Sequence, residues 1–497
     1  MSQNAKGCFA VAFILTVESL ACFCRADVTM PPVFSDHMAL QADMAVPVWG
    51  SAEPGELVTV KVGGQNKTGK ADAKGAWRVT LDKLAAGLNT EMIIEGKNRL
   101  RIQDVLVGEV WLCAGQSNMG IKASGVLRID SAESHYPQLR MFVEKSVPGR
   151  RVQLTDKPEW LVCSPENTDH FSATAYHFGR YLHKKLGKPV GLVVAAVGGS
   201  PIGAWISGEA QNRLPETAKL LEDYERTVRE FTPAKAKAFW NSAAKAGRNP
   251  PPIEEFTKGI NPRNYYFGYL FDARIKPLIG YAIRGAIWYQ GEGNAHRVEQ
   301  GKLYAKQLPL LIEDWRQRWG QGRFPFAWVQ LPNFGEQKML GWCYVRESML
   351  QSLKVPNTGM AIILDLGETK SIHPLNKQGV GERLGLWALA KVYGQKIAYS
   401  GALPKSHSIQ GDKVVVTFTH AEGLHAKGGG LVEGFSIAGQ DQKWHPAEAV
   451  IEGDRVIVSS PEVKVPAAVR YAWSNDPVFN LYNAAMIPAS PFRTDTW

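Results

Sequence analysis

The middle of the chain alternates between short apolar runs and longer amphipathic stretches. The apolar runs are candidate strands, at Val107–Ala114, Leu139–Val143, Val190–Val197, Ile283–Trp288, Phe326–Leu331 and Met360–Leu366. Apolar residues at helical spacing lie between them, near residues 172–186, 208–245, 300–318, 342–353 and 376–394. Strands that alternate with helices predict an α/β domain, with a parallel sheet that is covered by helices on both faces.

Short β-branched runs with alternating polarity occupy both flanks of this region. Val58-Thr-Val-Lys-Val and Trp77-Arg-Val-Thr-Leu lie in the N-terminal flank, and Val414-Val-Val-Thr-Phe-Thr lies in the C-terminal one. Short strands separated by turn signals are typical of sandwiches and jelly rolls. We therefore predict a β-sandwich-like domain over residues 27–104, an α/β domain over 105–395 and a second β domain over 396–497.

The first 26 residues have the composition of a targeting segment. Lys6 precedes an apolar stretch from Cys8 to Val17, and Cys24-Arg25-Ala26 follows. A basic region, an apolar core and a small residue before a cut predict a secretory signal peptide over residues 1–26 and a secreted or periplasmic protein. Leu20-Ala21-Cys22 leaves lipoprotein anchoring as an alternative that fits less well. No later apolar run reaches the roughly 18 residues that a membrane-spanning helix needs.

Composition and charge narrow the function classes. The chain has 497 residues, 45% of them hydrophobic, and a formal net charge of +10. This composition is that of a folded protein with a sizeable core, and the basic residues are spread without the dense run that marks a nucleic-acid site. Outside the leader only Cys113, Cys163 and Cys343 remain. An odd, sparse set of cysteines predicts neither a disulfide framework nor a metal site, although one disulfide remains open.

The most informative motif is Gly115-Gln-Ser-Asn-Met, which follows the first predicted strand of the α/β domain. Ligands of open α/β sheets bind at the carboxyl ends of the strands, so Ser117 stands where a nucleophile is needed. A glycine and a serine at such a place are, on their own, more often an ordinary turn.

Three further segments also follow predicted strands and can converge on the same edge. They are Gly198-Gly-Ser-Pro-Ile, Trp288-Tyr-Gln-Gly-Glu-Gly-Asn and Ser371-Ile-His-Pro. Acyl transfer accounts for the set, because a serine hydroxyl needs a base such as His373 to take its proton. The oxyanion of the tetrahedral intermediate needs donors, which the N–H groups at Gly198 or Gly199 and the Asn294 amide provide.

These motifs together resemble the sialate O-acetylesterase family of the SGNH hydrolase superfamily. Phe34-Ser-Asp-His-Met-Ala-Leu-Gln near the start, Asn376-Lys377 and Pro491-Phe-Arg-Thr-Asp near the end extend the resemblance over nearly the whole chain after the leader. It implies an α/β/α hydrolase core flanked by β domains. It also implies that Ser117 is the nucleophile, His373 the base, and Gly199 with Asn294 the oxyanion hole. Gln116 and Gln290 are expected to contact substrate.

The third member of the catalytic triad is left open by the sequence. Many SGNH enzymes have an aspartate three residues before the histidine, where this chain has Lys370. An ammonium group donates hydrogen bonds and does not accept them, so Lys370 cannot orient the imidazole. Asp365 is the first candidate and Glu292 the second, and a Ser–His dyad is the third option.

The sequence thus predicts a secreted serine esterase that removes O-acetyl groups from sialic acids. An esterase for acetylxylan or another polysaccharide is the first alternative, and a carbohydrate-binding protein with an inactive hydrolase core is the second. The expected partner is an acetylated glycan rather than a nucleic acid, and no cofactor or metal ion is expected. The sequence does not indicate the oligomeric state.

Overall fold

The computed structural model describes residues 27–126, 134–144, 157–245, 252–254 and 267–497. The predicted signal peptide and the lipoprotein alternative lie outside these residues.

The N-terminal region contributes seven strands. They are β1 (Ala39–Gln41), β2 (Val46–Ser51), β3 (Leu57–Val62), β4 (Gln65–Lys70), β5 (Ala76–Leu81), β6 (Asn89–Glu95) and β7 (Arg99–Gly115). Strands β2 and β5 form one antiparallel pair, while β4, β3 and β6 form a sheet that continues onto β7. In β5 the buried positions alternate strictly with exposed ones, as expected for a strand with one face on the core.

The central region alternates strands with helices, as predicted. Its strands are β8 (Tyr136–Val143), β9 (Glu159–Cys163), β10 (Val190–Ala196), β11 (Gly285–Tyr289), β12 (Phe326–Val329) and β13 (Thr358–Ala361). Its helices are α1 (Ser117–Gly120), α2 (Ala173–Leu186), α3 (Gly208–Gln211), α4 (Pro215–Glu230), α5 (Pro233–Lys245), α6 (Val298–Trp319), α7 (Trp342–Gln351) and α8 (Lys377–Lys391). Short 3-10 turns at Glu292–Asn294 and Leu364–Leu366 follow β11 and β13.

The strands of the core sheet lie in the order β13-β12-β11-β7-β10-β8-β9. All neighbouring pairs are parallel except β8 with β9, an antiparallel edge strand that the apolar pattern did not predict. Separate apolar clusters cover the two faces of the sheet, with Trp288 and Trp328 on one face and Trp111 and Trp387 on the other. This architecture confirms the predicted α/β fold class with flanking β domains.

Strand β7 belongs to two regions at once. Exposed and buried residues alternate over its first part, and from Val105 to Gly115 every residue is buried. The first part pairs with β6 and the later part with β10 and β11. The domain boundary predicted between residues 104 and 105 therefore falls inside a continuous strand. The apolar cluster on one face of the core sheet extends without a break into the N-terminal region.

The C-terminal region is built from ten short strands. They are β14 (Leu403–Gln410), β15 (Lys413–Thr419), β16 (His425–Ala426), β17 (Phe435–Gly439), β18 (Trp444–Pro446), β19 (Glu448–Glu452), β20 (Arg455–Ser459), β21 (Pro466–Tyr471), β22 (Leu481–Tyr482) and β23 (Phe492–Arg493). They enclose an apolar cluster of their own. Side chains also join this region to the core, because Arg493 donates to Glu347 and Gln330 donates to Ser490.

Two further predictions concern the cysteines and the membrane. Cys113, Cys163 and Cys343 are free and buried, so the disulfide left open by the sequence is not formed. Among the residues that the structure describes, no helix combines the length and apolarity needed to cross a bilayer.

Candidate active site

Ser117 stands in a tight turn at the carboxyl end of the central strand β7. The turn needs glycine at position 115, because φ there is +144° and a Cβ atom would lie 2.1 Å from the carbonyl oxygen of Tyr289. The next residue, Gln116, donates its backbone N–H to the same carbonyl over 3.0 Å. Ser117 then begins α1. The backbone of the serine is thus fixed by the neighbouring strand β11.

His373 reaches Ser117 from the loop that follows β13. Its Nε2 atom lies 2.8 Å from the Ser117 Oγ atom, which is hydrogen-bonding distance. Burial, and after it the charge of Lys377, lowers the pKa of His373 below its ordinary value. Only a neutral imidazole accepts the serine proton, so this shift favours the base form at neutral pH.

On the opposite side, the turn after β10 passes close to Ser117. A Cβ atom at Gly198 would lie 3.5 Å from the Ser117 Cβ, while Gly199 has φ +73° and open space where a side chain would be. Both glycines are exposed. A backbone without side chains can approach a bound ester closely, as an oxyanion hole requires.

Asn294 is held with its amide nitrogen available. Its Oδ1 atom accepts hydrogen bonds from the Ile202 backbone and from Gln290 Nε2, each 2.9 Å long. The oxygen is therefore occupied, which leaves Nδ2 as the atom that donates. A free amide N–H is the kind of donor that an oxyanion hole uses.

The two glutamines expected to contact substrate instead contact the protein. Gln290 is fully buried, donates to Asn294 and the Ser200 carbonyl, and accepts from the Tyr304 hydroxyl. Gln116 is also buried, and its Oε1 accepts the backbone N–H of Gly293 over 3.1 Å. These bonds fix the turn that carries Asn294, and a contact of either glutamine with substrate stays a prediction.

Asp365 is not the partner of His373. Its two carboxylate oxygens accept from the two terminal nitrogens of Arg383 in α8, over 2.5 and 2.8 Å. A bidentate guanidinium pair satisfies the carboxylate and fixes its direction. The first candidate for the orienting acid is therefore held by a charged partner in the next helix, and its effect on the imidazole stays a prediction.

Glu292 lies nearer the reacting groups but is not bonded to the imidazole. It is 2% exposed, and its Oε1 atom accepts from Asn118 Nδ2 over 2.5 Å. Its Oε2 atom is buried and finds no hydrogen-bond partner within the described ranges. Those ranges also supply no hydrogen bond to the Nδ1 atom of His373, which agrees with the dyad option.

Sequence reasoning missed two buried residues beside the nucleophile. Asn118 follows Ser117 directly, and Lys377 donates to its Oδ1 atom over 2.5 Å. Both belong to the motifs that carried the family resemblance, Gly115-Gln-Ser-Asn-Met and Asn376-Lys377. That membership was the only available signal, since 259 residues separate the two in the chain.

The arrangement combines a hydroxyl on a histidine with amide donors across from it. Such a set carries out acyl transfer by nucleophilic attack and oxyanion stabilisation. Among the described residues no group of three or more His, Cys, Asp or Glu side chains is placed to hold a metal ion.

Comparison with known proteins gives a consistent result. The family model described as carbohydrate esterase, sialic acid-specific acetylesterase matches residues 107–246 and 242–385. The sialate O-acetylesterases of rat and human are 30% and 28% identical to the chain, each over 92% of it and over 92% and 91% of their own lengths.

A solved structure extends the likeness to three dimensions. A carbohydrate acetylesterase from Xanthomonas citri is 36% identical, with a TM-score of 0.79, over 95% of this chain and all of the other. Because the family model and these relatives cover the core and both flanks, the chain belongs to the family of sialic acid-specific acetylesterases and is a carboxylic ester hydrolase that acts on the O-acetyl esters of carbohydrates.

Proposed function

We propose that the protein is a secreted serine esterase that removes O-acetyl groups from sialic acids. The observation that carries the mechanism is the 2.8 Å contact between the Ser117 Oγ and His373 Nε2 atoms. It is supported by the glycine turn beside the serine and by the Asn294 amide, whose Oδ1 is occupied within the protein.

The reaction proceeds in two acyl transfers. His373 takes the Ser117 proton while Oγ attacks the acetyl carbon, and the oxyanion is bound by the Gly199 N–H and Asn294 Nδ2. The imidazolium then protonates the departing sugar hydroxyl, which leaves an acetyl-enzyme. Water, deprotonated by the same histidine, attacks this ester and releases acetate, so Ser117 regains its proton.

The choice of sialic acid depends on the relatives. The rodent and human proteins that match over nine-tenths of both chains are named sialate O-acetylesterases.

Secretion is proposed from the apolar segment that follows Lys6, which has the composition of a signal peptide.

A second substrate class is favoured by a separate observation. The Xanthomonas citri protein, a carbohydrate acetylesterase, is more similar in sequence than the mammalian proteins. Acetylated polysaccharide such as acetylxylan is therefore the alternative substrate.

Acetate release from matched panels distinguishes these proposals. Purified full-length protein is incubated with O-acetylated sialic acids and with acetylxylan at equal acetyl concentration, and Ser117→Ala is the control. A kcat/KM at least about tenfold higher for the sialic acids supports the proposal, because a difference of this size is within what pocket contacts supply. A preference for acetylxylan supports the alternative. Acetate release from neither panel by a folded protein supports the inactive, carbohydrate-binding interpretation.

A further inference from the structure

Asn118 uses both donor positions and the oxygen of its side-chain amide inside the protein. Its nitrogen donates to Glu292 Oε1 over 2.5 Å and to the Ile372 carbonyl over 3.0 Å. Its oxygen accepts from Lys377 Nζ over 2.5 Å. The ammonium requires the amide oxygen and the carboxylate requires the amide nitrogen, so only one orientation of the amide fits.

The two charges around this amide are deeply buried. Lys377 is 1% exposed and Glu292 is 2% exposed. Burying a lone charge is costly, and a single amide that bonds to both groups compensates part of that cost. The rest shows at Glu292, where burial raises the carboxyl pKa and Oε2 has no partner among the described residues. Burial lowers the pKa of Lys377 to about 8, against the opposing charges of Glu292 and Glu368. The groups that face Lys377 are these two carboxylates, the Tyr289 ring at 5.5 Å and His373.

The network joins the two halves of the reacting pair through their chain neighbours. Asn118 directly follows the nucleophile, and the carbonyl that it holds belongs to Ile372, which directly precedes the base. A hydrogen bond between these neighbours sets the distance between the backbones of Ser117 and His373. No side chain in the described part of the chain holds the Nδ1 atom of His373, so the position of the imidazole depends on its backbone.

We propose that Asn118 and Lys377 are positioning residues, and that the buried Lys377–Asn118–Glu292 network aligns His373 with Ser117. The proposal rests on the proposed roles of Ser117 and His373. Neither positioning residue transfers the proton. Asn118 holds the histidine loop, and Lys377 holds Asn118 and keeps the imidazole neutral.

The first test is Asn118→Ala in the full-length protein, with 4-nitrophenyl acetate as substrate. A misplacement of about 1 Å lowers rates about 100-fold, so we expect kcat to fall by about that factor while KM changes by less than about threefold. Asn66→Ala, at an exposed position on β4, is the matched control. A kcat for Asn118→Ala within about threefold of wild type would overturn the proposal.

The second test is a double-mutant cycle on the two charges. Lys377→Met strands a buried carboxylate, and Glu292→Gln removes that carboxylate but keeps an oxygen that accepts from Asn118. We expect about a 100-fold loss of kcat/KM for Lys377→Met alone and about tenfold or less for the double variant, because groups in one network are not additive. If the loss of kcat/KM in the double variant equals the product of the losses in the two single variants, the two charges act independently. That result would overturn the proposed network.

The pH profile separates positioning from a merely structural role. Removing the ammonium raises the pKa of His373, so the acid limb of kcat/KM moves to higher pH in Lys377→Met and stays in place in Glu292→Gln. An unmoved limb in Lys377→Met contradicts the proposal. If Lys377→Met does not fold, as judged by its melting temperature, two variants still test the proposal. They are Asn118→Ala and the double variant of Lys377→Met with Glu292→Gln, in which both charges are removed.

Ser117→Ala separates a failure of the positioning network from a failure of the serine mechanism. An inactive Ser117→Ala with a fully active Asn118→Ala leaves the serine mechanism standing and removes only the positioning network. An active Ser117→Ala removes the serine mechanism itself.

Discussion

The two sides of Ser117 are built in different ways. The oxyanion side, which consists of Gly198, Gly199 and Asn294, is shaped by glycine turns and by hydrogen bonds from neutral amides. The histidine side, residues 366–376, is held by the distant Asn118 side chain, which also bonds to a buried ammonium and a buried carboxylate. The first side is therefore insensitive to protonation, whereas the second depends on the charge state of groups that water does not reach.

The largest effect is expected where both sides meet. Ser117→Ala removes the nucleophile, and loss of the serine in such a site lowers kcat by about 10⁴-fold or more. Hydrolysis of 4-nitrophenyl acetate by the purified variant measures this, with unchanged circular dichroism as the control for folding. Near wild-type kcat would show that neither side serves a serine nucleophile.

Asn294→Ala tests the oxyanion side alone. Removing one oxyanion donor typically lowers kcat by about 10²- to 10³-fold, and we expect a loss in this range with little change in KM. Asn294→Asp is the matched variant, since it keeps the shape but replaces the donor with an acceptor. If Asn294→Asp retained activity, groups other than Asn294 would have to stabilise the oxyanion.

A pair of variants tests the histidine side. Because Glu292 bonds to Asn118 and Asp365 bonds to Arg383, we expect Glu292→Gln to lower kcat by about tenfold, a partial loss of alignment. Asp365→Asn should leave kcat within about threefold and should instead destabilise the fold by about 1–3 kcal/mol, since Arg383 loses its charged partner.

Steady-state kinetics and thermal unfolding of both variants provide the measurement. The reverse order of effects on kcat would restore Asp365 as the orienting acid that the sequence first indicated.

The pH dependence of kcat/KM is a smaller effect that tests the histidine side, which contains groups that titrate. His373 must be neutral to act, and burial together with Lys377 lowers its pKa. The rate is therefore maintained as pH falls through the ordinary histidine value of about 6.5 and is lost only below it. Measuring kcat/KM from about pH 4.5 to about pH 8.5, the range in which histidines titrate, tests this expectation. An acid limb above 6.5, roughly the unperturbed value, would contradict it.

No change is expected from chelation. The proposed chemistry on both sides uses a hydroxyl, an imidazole and amide donors, none of which needs a metal ion. Activity after prolonged dialysis against EDTA should equal that of the untreated protein. Loss of activity that added zinc restores would show that a metal ion takes part.

The two sides also differ in how far the sequence predicts them. Gly199 and Asn294 belong to glycine-containing turns directly after apolar strands, and such turns are local features that a sequence displays. The pairing of Asp365 with Arg383 was not foreseen, because the distance of Asp365 along the chain from His373 does not show where its carboxylate points. Arg383, nearly two turns into the next helix, binds that carboxylate.

Long-range contacts escaped prediction for the same reason. The bond between Asn118 and Lys377 joins residues 259 positions apart. Lysines are seldom buried, so the sequence alone places Lys377 at the surface. The continuity of β7 across residue 104 was also not visible, because a change in apolar pattern marks a change of neighbours, and a strand can change neighbours without ending.

The shared strand β7 has a consequence for how the protein is made. Synthesis runs from the N-terminus, so β1 and β6 are available as soon as β7 is complete, whereas β10 and β11 begin only at Val190 and Gly285. The first part of β7 can therefore pair early and present its apolar second part as an edge onto which the core sheet grows. Unpaired apolar edges are the points at which nascent chains misassemble. The strand that leads to Ser117 is thus both the template of the nascent core and an exposed edge until Gly285–Tyr289 has been added.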